Sequence, residues 1–189
     1  MSSRQPLSET WCNGKVGVIG GSSGGSHAAF VGFDQTSSVG WPNWTKNDRP
    51  NAVASLSGNY DFACRIPESY LPDPLPGFKG IVENYTNSCD PSFQRSKSPV
   101  SLLSSATKDI PPSYFINSEF DTMPYHQIEV LRCALQNAGV SSSLYQIVTI
   151  PDSGEHGFAY WRNWNGGSCI PTCKTRGADI VAFFDSHLK

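Results

Sequence analysis

Apolar and polar positions fall into blocks whose period changes along the chain. Val16-Gly17-Val18-Ile19-Gly20 is apolar on both faces, the pattern of a strand covered on both sides in a parallel sheet. Ser26-His27-Ala28-Ala29-Phe30 then starts a helix that fades by Gly32 to Asp34. A polar loop over 35–50 carries Trp41-Pro42-Asn43-Trp44. Ala52 to Gly58 reads as a second buried strand, with Asn59-Tyr60-Asp61-Phe62 at its carboxyl end. Ser113 to Ser118 is a third strand and Leu144 to Ile150 a fourth. Between these two, Ile128, Leu131 and Leu135 recur at helical spacing. Pro124 suits the first turn of that helix, with Thr122 or Met123 near the cap, and Gly139 closes it. Ile180, Val181, Phe184 and Leu188 share one face of a last helix. The alternation of strand and helix predicts an α/β fold, a mostly parallel sheet with helices on both faces.

The stretch over about 61–100 breaks this rhythm. Pro67, Pro72, Pro74, Pro76, Pro91 and Pro99 punctuate it, and only Phe78 to Tyr85, with Ile81 and Val82, suggests a short helix. It reads as a cap-like excursion over the rim of the sheet, where substrate selection is often placed. Residues 1–189 otherwise suit a single domain with a substantial core.

Composition removes several function classes. A net charge of −2 gives no electrostatic footprint for nucleic acid or an anionic membrane. No apolar run approaches the length of a membrane span. Met1 to Asn13 is polar and lacks the apolar core of a signal peptide; the compartment is not readable from it. The six cysteines are Cys12, Cys64, Cys89, Cys133, Cys169 and Cys173. Cys169 with Cys173, and Cys64 with Cys89, are candidate disulfides of an exported parent protein. The other reading is six reduced thiols. No paired C-x-x-C spacing predicts zinc.

The chemistry concentrates at the end of the first strand, in Gly20-Gly21-Ser22-Ser23-Gly24-Gly25. A strand, a sharp small-residue turn and a helix with serine at the tip is the G-x-S-x-G elbow. Glycines are needed where strand and helix come close, and the serine backbone is held in strain. Two registers fit, with Ser22 or Ser23 as the nucleophile. Ser22 is preferred because the apolar strand ends at Ile19, so the first glycine follows directly. A Gly/Ser loop without chemistry is the bland alternative.

Asp121 follows the third strand and His156 the fourth, in Asn117-Ser118-Glu119-Phe120-Asp121 and Gly154-Glu155-His156-Gly157-Phe158. With Ser22 these lie at carboxyl ends of strands, so one rim can collect all three. On these three motifs the chain resembles the α/β-hydrolase superfamily, in its esterase/lipase branch with acetyl-xylan- and feruloyl-esterase-like members. The resemblance implies Ser22 as nucleophile, His156 as base and Asp121 as its orienting acid. It implies the Ser23 N–H as an oxyanion donor, with Gly21 beside it a candidate substrate-binding position. Tyr60 and Asp61 are pocket candidates because ligands sit at such strand ends in open α/β sheets, with ordinary loop packing the alternative for each. The implied substrate is a small-molecule or carbohydrate-linked ester, with no cofactor and no metal. Glu119 is the second-choice acid, and Asp121 could instead cap the helix after it. His27 is expected to pack or hydrate, His126 to be exposed, and His187 to sit at a helix C-terminus.

The pattern departs from the family ahead of Ser22. Only 21 residues precede it, with no His-Gly-Gly-type loop for a second oxyanion donor and no room for the further strands expected there. This predicts a domain truncated at its N-terminus, with an exposed sheet edge inviting self-association. It also keeps two other functions open. One is a non-catalytic remnant or interaction module, and the other a prolyl-oligopeptidase-like peptidase domain with the same triad order.

Overall fold

The computed structural model describes residues 13–34, 49–63, 78–104, 109–161 and 176–189. Its centre is a sheet of four parallel strands in sequential order: β1 (Gly17–Gly21), β2 (Ala52–Leu56), β3 (Ser113–Ser118) and β4 (Tyr145–Ile150). The strands are level at their carboxyl ends. Gly21 pairs with Leu56, Leu56 with Ile116, and Ser118 with Ile150. Each strand therefore hands its following loop to the same rim.

Helices cover both faces, and period two along the strands decides which side chain meets which helix. On one face Phe115 packs with Ala29 and Phe33 of α1 (Ser23–Phe33) and with Ile128, Leu131 and Leu135 of α4 (His126–Asn137). On the other, Tyr114 and Ile116 meet Ile180, Phe183 and Phe184 of α5 (Arg176–Leu188). Phe115 is wholly buried, which stabilises by about 1.5–3 kcal/mol. α1 lies close on the sheet because its inner residues are small. A Cβ on Gly25 would stand 2.8 Å from the Leu56 carbonyl oxygen.

Among its described residues the excursion holds two helices, α2 (Phe78–Thr86) and α3 (Pro91–Ser96), with a 3₁₀ turn over Pro99–Leu102. α2 falls where Ile81 and Val82 suggested it. α3 is an addition. Asp90 caps it by accepting the Ser92 N–H at 3.0 Å, and Pro91 takes the first helical position. α4 ends as its sequence predicts: Gly139 adopts φ 73°, and the Val140 N–H donates to the Leu135 carbonyl at 3.0 Å.

β1 differs from its expectation. Its pattern suggested cover on both faces, yet Val16 before it is 57% exposed and Ile19 is 37% exposed. It is the end strand of the sheet, and among the described residues nothing pairs with its outer edge. Cys89 and Cys133 are free and exposed. Cys12, Cys64, Cys169, Cys173 and the loop at Trp41 to Trp44 lie outside the described residues. No helix among the described residues is long and apolar enough to cross a membrane.

Candidate active site

Ser22 sits between β1 and α1 with φ 57° and ψ −124°, a conformation an L-residue adopts only when its surroundings impose it. The imposition is visible. Its N–H donates to the Leu56 carbonyl at 2.8 Å, and its own carbonyl accepts from the Gly25 N–H at 2.9 Å. The turn leaves no room at Gly20, where a Cβ would lie 2.0 Å from the Gly24 carbonyl oxygen. The Ser22 side chain does not cap the helix, so its hydroxyl is not consumed there. Ser23 is the first residue of α1 and exposed, in a turn whose N–H groups have no partner within the helix.

Asp121 and His156 form the closed part of the arrangement. His156 Nδ1 and Asp121 Oδ1 are 2.6 Å apart. This hydrogen bond raises the imidazole pKa above its usual value, and partial burial pulls the other way. Nδ1 being engaged, Nε2 is the nitrogen left for other work. The Asp121 carboxylate is fully buried, a position a charge holds only when hydrogen-bonded. Oδ1 also accepts the Met123 N–H at 2.8 Å. That N–H lies ahead of α4, whose N-cap is Tyr125 with no side-chain cap bond, so Asp121 holds the turn before the helix and does not cap it.

Oδ2 takes a different set of donors. Ser57 Oγ and the Tyr160 hydroxyl both reach it, the latter at 3.1 Å. Ser57 and Tyr160 lie 3.0 Å apart, and Ser118 Oγ donates to the Tyr160 hydroxyl at 3.2 Å. Burial, then the nearby Asp121 charge, pushes the Tyr160 phenol pKa well up, so it stays protonated and able to donate. Ser57 also accepts the Gly157 N–H at 3.0 Å, tying the histidine loop to the end of β2.

That loop lies against the serine turn. Gly157 has φ 57°, and a Cβ there would stand 3.8 Å from Gly21 Cα and from Ser22 N. A Cβ on Gly21 would stand 3.0 Å from the Phe158 ring. Gly21 thus serves close packing between the two turns. No hydrogen bond joins the Ser22 hydroxyl to His156 in this arrangement.

A cavity of about 80 Å³ opens beside Ser22, Ser23 and Ser26, walled by Phe62, Phe78, Ile81, Val82, Tyr85 and Met123, with Asn59 among its lining. Tyr60 is not in this wall. It is wholly buried in the core, its hydroxyl 2.9 Å from Ser55 Oγ. Asn59 before it and Phe62 beyond it line the cavity instead. His27 packs at the surface, its Nε2 2.9 Å from the Tyr85 hydroxyl. His126 is half-buried rather than exposed, 3.5 Å from Glu129. Glu119 turns away from His156 and accepts the Asp152 N–H at 2.9 Å. His187 lies in the last turn of α5, against Phe183. No group of three or more potential metal ligands converges among the described residues.

Sequence reasoning missed Ser57, Tyr160 and Ser118. Ser57 alone had a signal: it follows a buried strand directly, as Ser22 does.

No family model matches the chain, and no curated protein matches it. Solved structures do. Esterase B from Lactobacillus Rhamnosis is 19% identical with a TM-score of 0.62, over 91% of this chain and 52% of that one. Thermogutta terrifontis esterase 2, in a structure phosphonylated by sarin, is 17% identical with a TM-score of 0.60, over 92% of this chain and 57% of that one. A Pyrococcus horikoshii acylaminoacyl peptidase is 17% identical with a TM-score of 0.51, over 74% of this chain and 20% of that one. At such identities the likeness is one of fold alone: the parallel sheet with its helices matches part of the α/β-hydrolase fold of these two esterases. The chain spans little more than half the length of these two esterases.

Proposed function

We propose that this chain carries the catalytic part of a serine hydrolase acting on carboxylic esters. Ser22 Oγ attacks the ester carbonyl as His156 Nε2 takes its proton. The carbonyl C–O bond to the alcohol breaks, and His156 returns the proton to the departing oxygen. Water then attacks the acyl-serine, again giving its proton to Nε2, and the acid leaves with Ser22 restored. Asp121 keeps the imidazole in the tautomer with Nε2 free and stabilises the imidazolium. The Ser23 N–H is one donor to the oxyanion.

The observation that carries this reading is the 2.6 Å His156–Asp121 contact held beside a serine in a strained turn. The small, largely apolar cavity supports an uncharged acyl or alcohol group, and we favour small esters, free or carbohydrate-linked, as in the acetyl-xylan and feruloyl esterases. The phosphonylated esterase neighbour makes a fluorophosphonate the natural probe. The 189-residue chain should form one serine adduct, and Ser22→Ala should abolish it and cut p-nitrophenyl acetate turnover by about 10⁴-fold or more. An adduct that survives Ser22→Ala and disappears with Ser23→Ala moves the nucleophile by one residue. A chain that takes no label supports the non-catalytic remnant instead. The peptidase neighbour gives the second catalytic reading, and faster cleavage of a matched anilide than of the ester would favour it.

A further inference from the structure

One polar group in the cavity has no part in the reaction above. Asn59 lines the cavity beside Ser22 and is only 6% exposed. Its Oδ1 is buried and finds no hydrogen-bond partner among the described residues. A buried acceptor left this way is uncommon and costly. The other unpartnered atoms of this kind, on Tyr114, Asn117 and Glu155, do not line the cavity.

Asn59 is firmly placed. Its N–H donates to Ser26 Oγ at 2.8 Å, and the next N–H, of Tyr60, donates to Gln127 Oε1 at 2.9 Å. Ser26 belongs to the first turns of α1, directly after the strained serine. The main chain is thus pinned to the serine's own helix while the side-chain Oδ1 is unsatisfied. The walls opposite are carbon: Phe62, Phe78, Val82 and Met123.

We propose that Asn59 binds a hydroxyl on the substrate, so that the preferred ester carries one hydroxyl on an otherwise apolar group entering this cavity. A hydroxyl both donates and accepts, and an amide offers both roles. The terminal torsion of asparagine is soft, so the amide can turn to meet it. An unsubstituted chain leaves Oδ1 as it stands. The proposal rests on the assignment of Ser22 as nucleophile, and its test separates the two.

Two matched pairs read it: p-nitrophenyl butyrate against p-nitrophenyl 3-hydroxybutyrate, and ethyl acetate against 2-hydroxyethyl acetate. The hydroxylated member of one pair should have the higher kcat/KM by about 3- to 10-fold, and which pair responds tells whether the hydroxyl belongs to the acyl or the alcohol side. Asn59→Leu and the smaller Asn59→Ala should bring that ratio near one. A ratio near one in the unaltered chain for both pairs, or a preference that survives both variants, overturns the proposal. Saturation-transfer NMR on the Ser22→Ala chain, with methyl butyrate and methyl 3-hydroxybutyrate, and with ethyl acetate and 2-hydroxyethyl acetate, gives a readout without turnover. Selective binding of one hydroxylated ester, lost in Asn59→Leu, upholds Asn59 even where no ester is cleaved, in which case only the Ser22 assignment fails. Equal binding within both pairs overturns Asn59 alone.

Discussion

The two sides of Ser22 are built in different ways. On the His156 side, every oxygen of Asp121 has donors: His156 and Met123 on Oδ1, Ser57 and Tyr160 on Oδ2. These residues come from loops at the ends of three strands and from the 3₁₀ turn after His156. On the cavity side, α2 buries only Phe78 and Val82, and its side-chain hydrogen bond to α1 is the surface pair Tyr85–His27. Under the proposed mechanism the contrast follows from what each side would do. A proton relay loses much of its rate for a displacement of about 1 Å, so its parts are cross-bonded. Fitting a substrate tolerates such shifts, and apolar walls supply area without fixing geometry.

That contrast can be broken or sharpened by substitution. Asp121→Asn should act most strongly, lowering turnover by about 10⁴-fold. It should also move the His156 titration, followed by NMR of its ring protons, to lower pH. With Asp121 present, the hydrogen bond raises the imidazole pKa. A neutral base is required, so the rate rises with pH through that raised value. With the carboxylate gone, the lowering effect of burial is left. The same shift has a stability side. The contribution of the protonated pair is complete below the unperturbed histidine value of about 6.5 and fades as pH climbs through the raised one. A midpoint that stays put or rises in the variant would falsify the assigned pairing.

Tyr160→Phe should do less. It removes one donor from Oδ2 while Ser57 keeps its place. A loss of about 1–3 kcal/mol in urea unfolding, with about a tenfold drop in turnover, is expected. No change in either measurement would mean that Ser57 alone holds the carboxylate. Ile81→Ala on α2 should do least to the fold. Ile81 is 56% exposed, so stability should stay within about 0.5 kcal/mol. The ratio of p-nitrophenyl hexanoate to acetate turnover should nevertheless shift, because this side chain lines the cavity. A large stability loss with an unchanged ratio would reverse the roles given to the two regions.

The sequence was most legible where local pattern and global position coincide. Ser22, Asp121 and His156 each follow a strand that is plain from its β-branched and aromatic run. Tyr60 was one residue out: it lies just past the end of β2, and it turns into the core while Asn59 and Phe62 reach the cavity. β1 misled for another reason. Its apolar composition reports what could cover a strand, and carries no information on which neighbours do. α3 was hidden because Pro91 reads as a break unless Asp90 is recognised as the cap before it. Ser118 and Tyr160 follow no spacing rule, since a hydroxyl that joins a network across loops is placed by tertiary structure alone; Ser57 had only its place directly after β2 to mark it.

The level register of the four strands has a consequence for assembly. His156 lies 35 residues beyond Asp121, and Asp121 lies 64 beyond Ser57, so no turn or neighbouring pair of elements contains a working set. A cut anywhere between α1 and β3 parts the serine from both of its partners. Such distant pairings form late, after local helices have paid their smaller closure entropy. The catalytic set proposed for this chain would then belong to the completed sheet and to no segment of it.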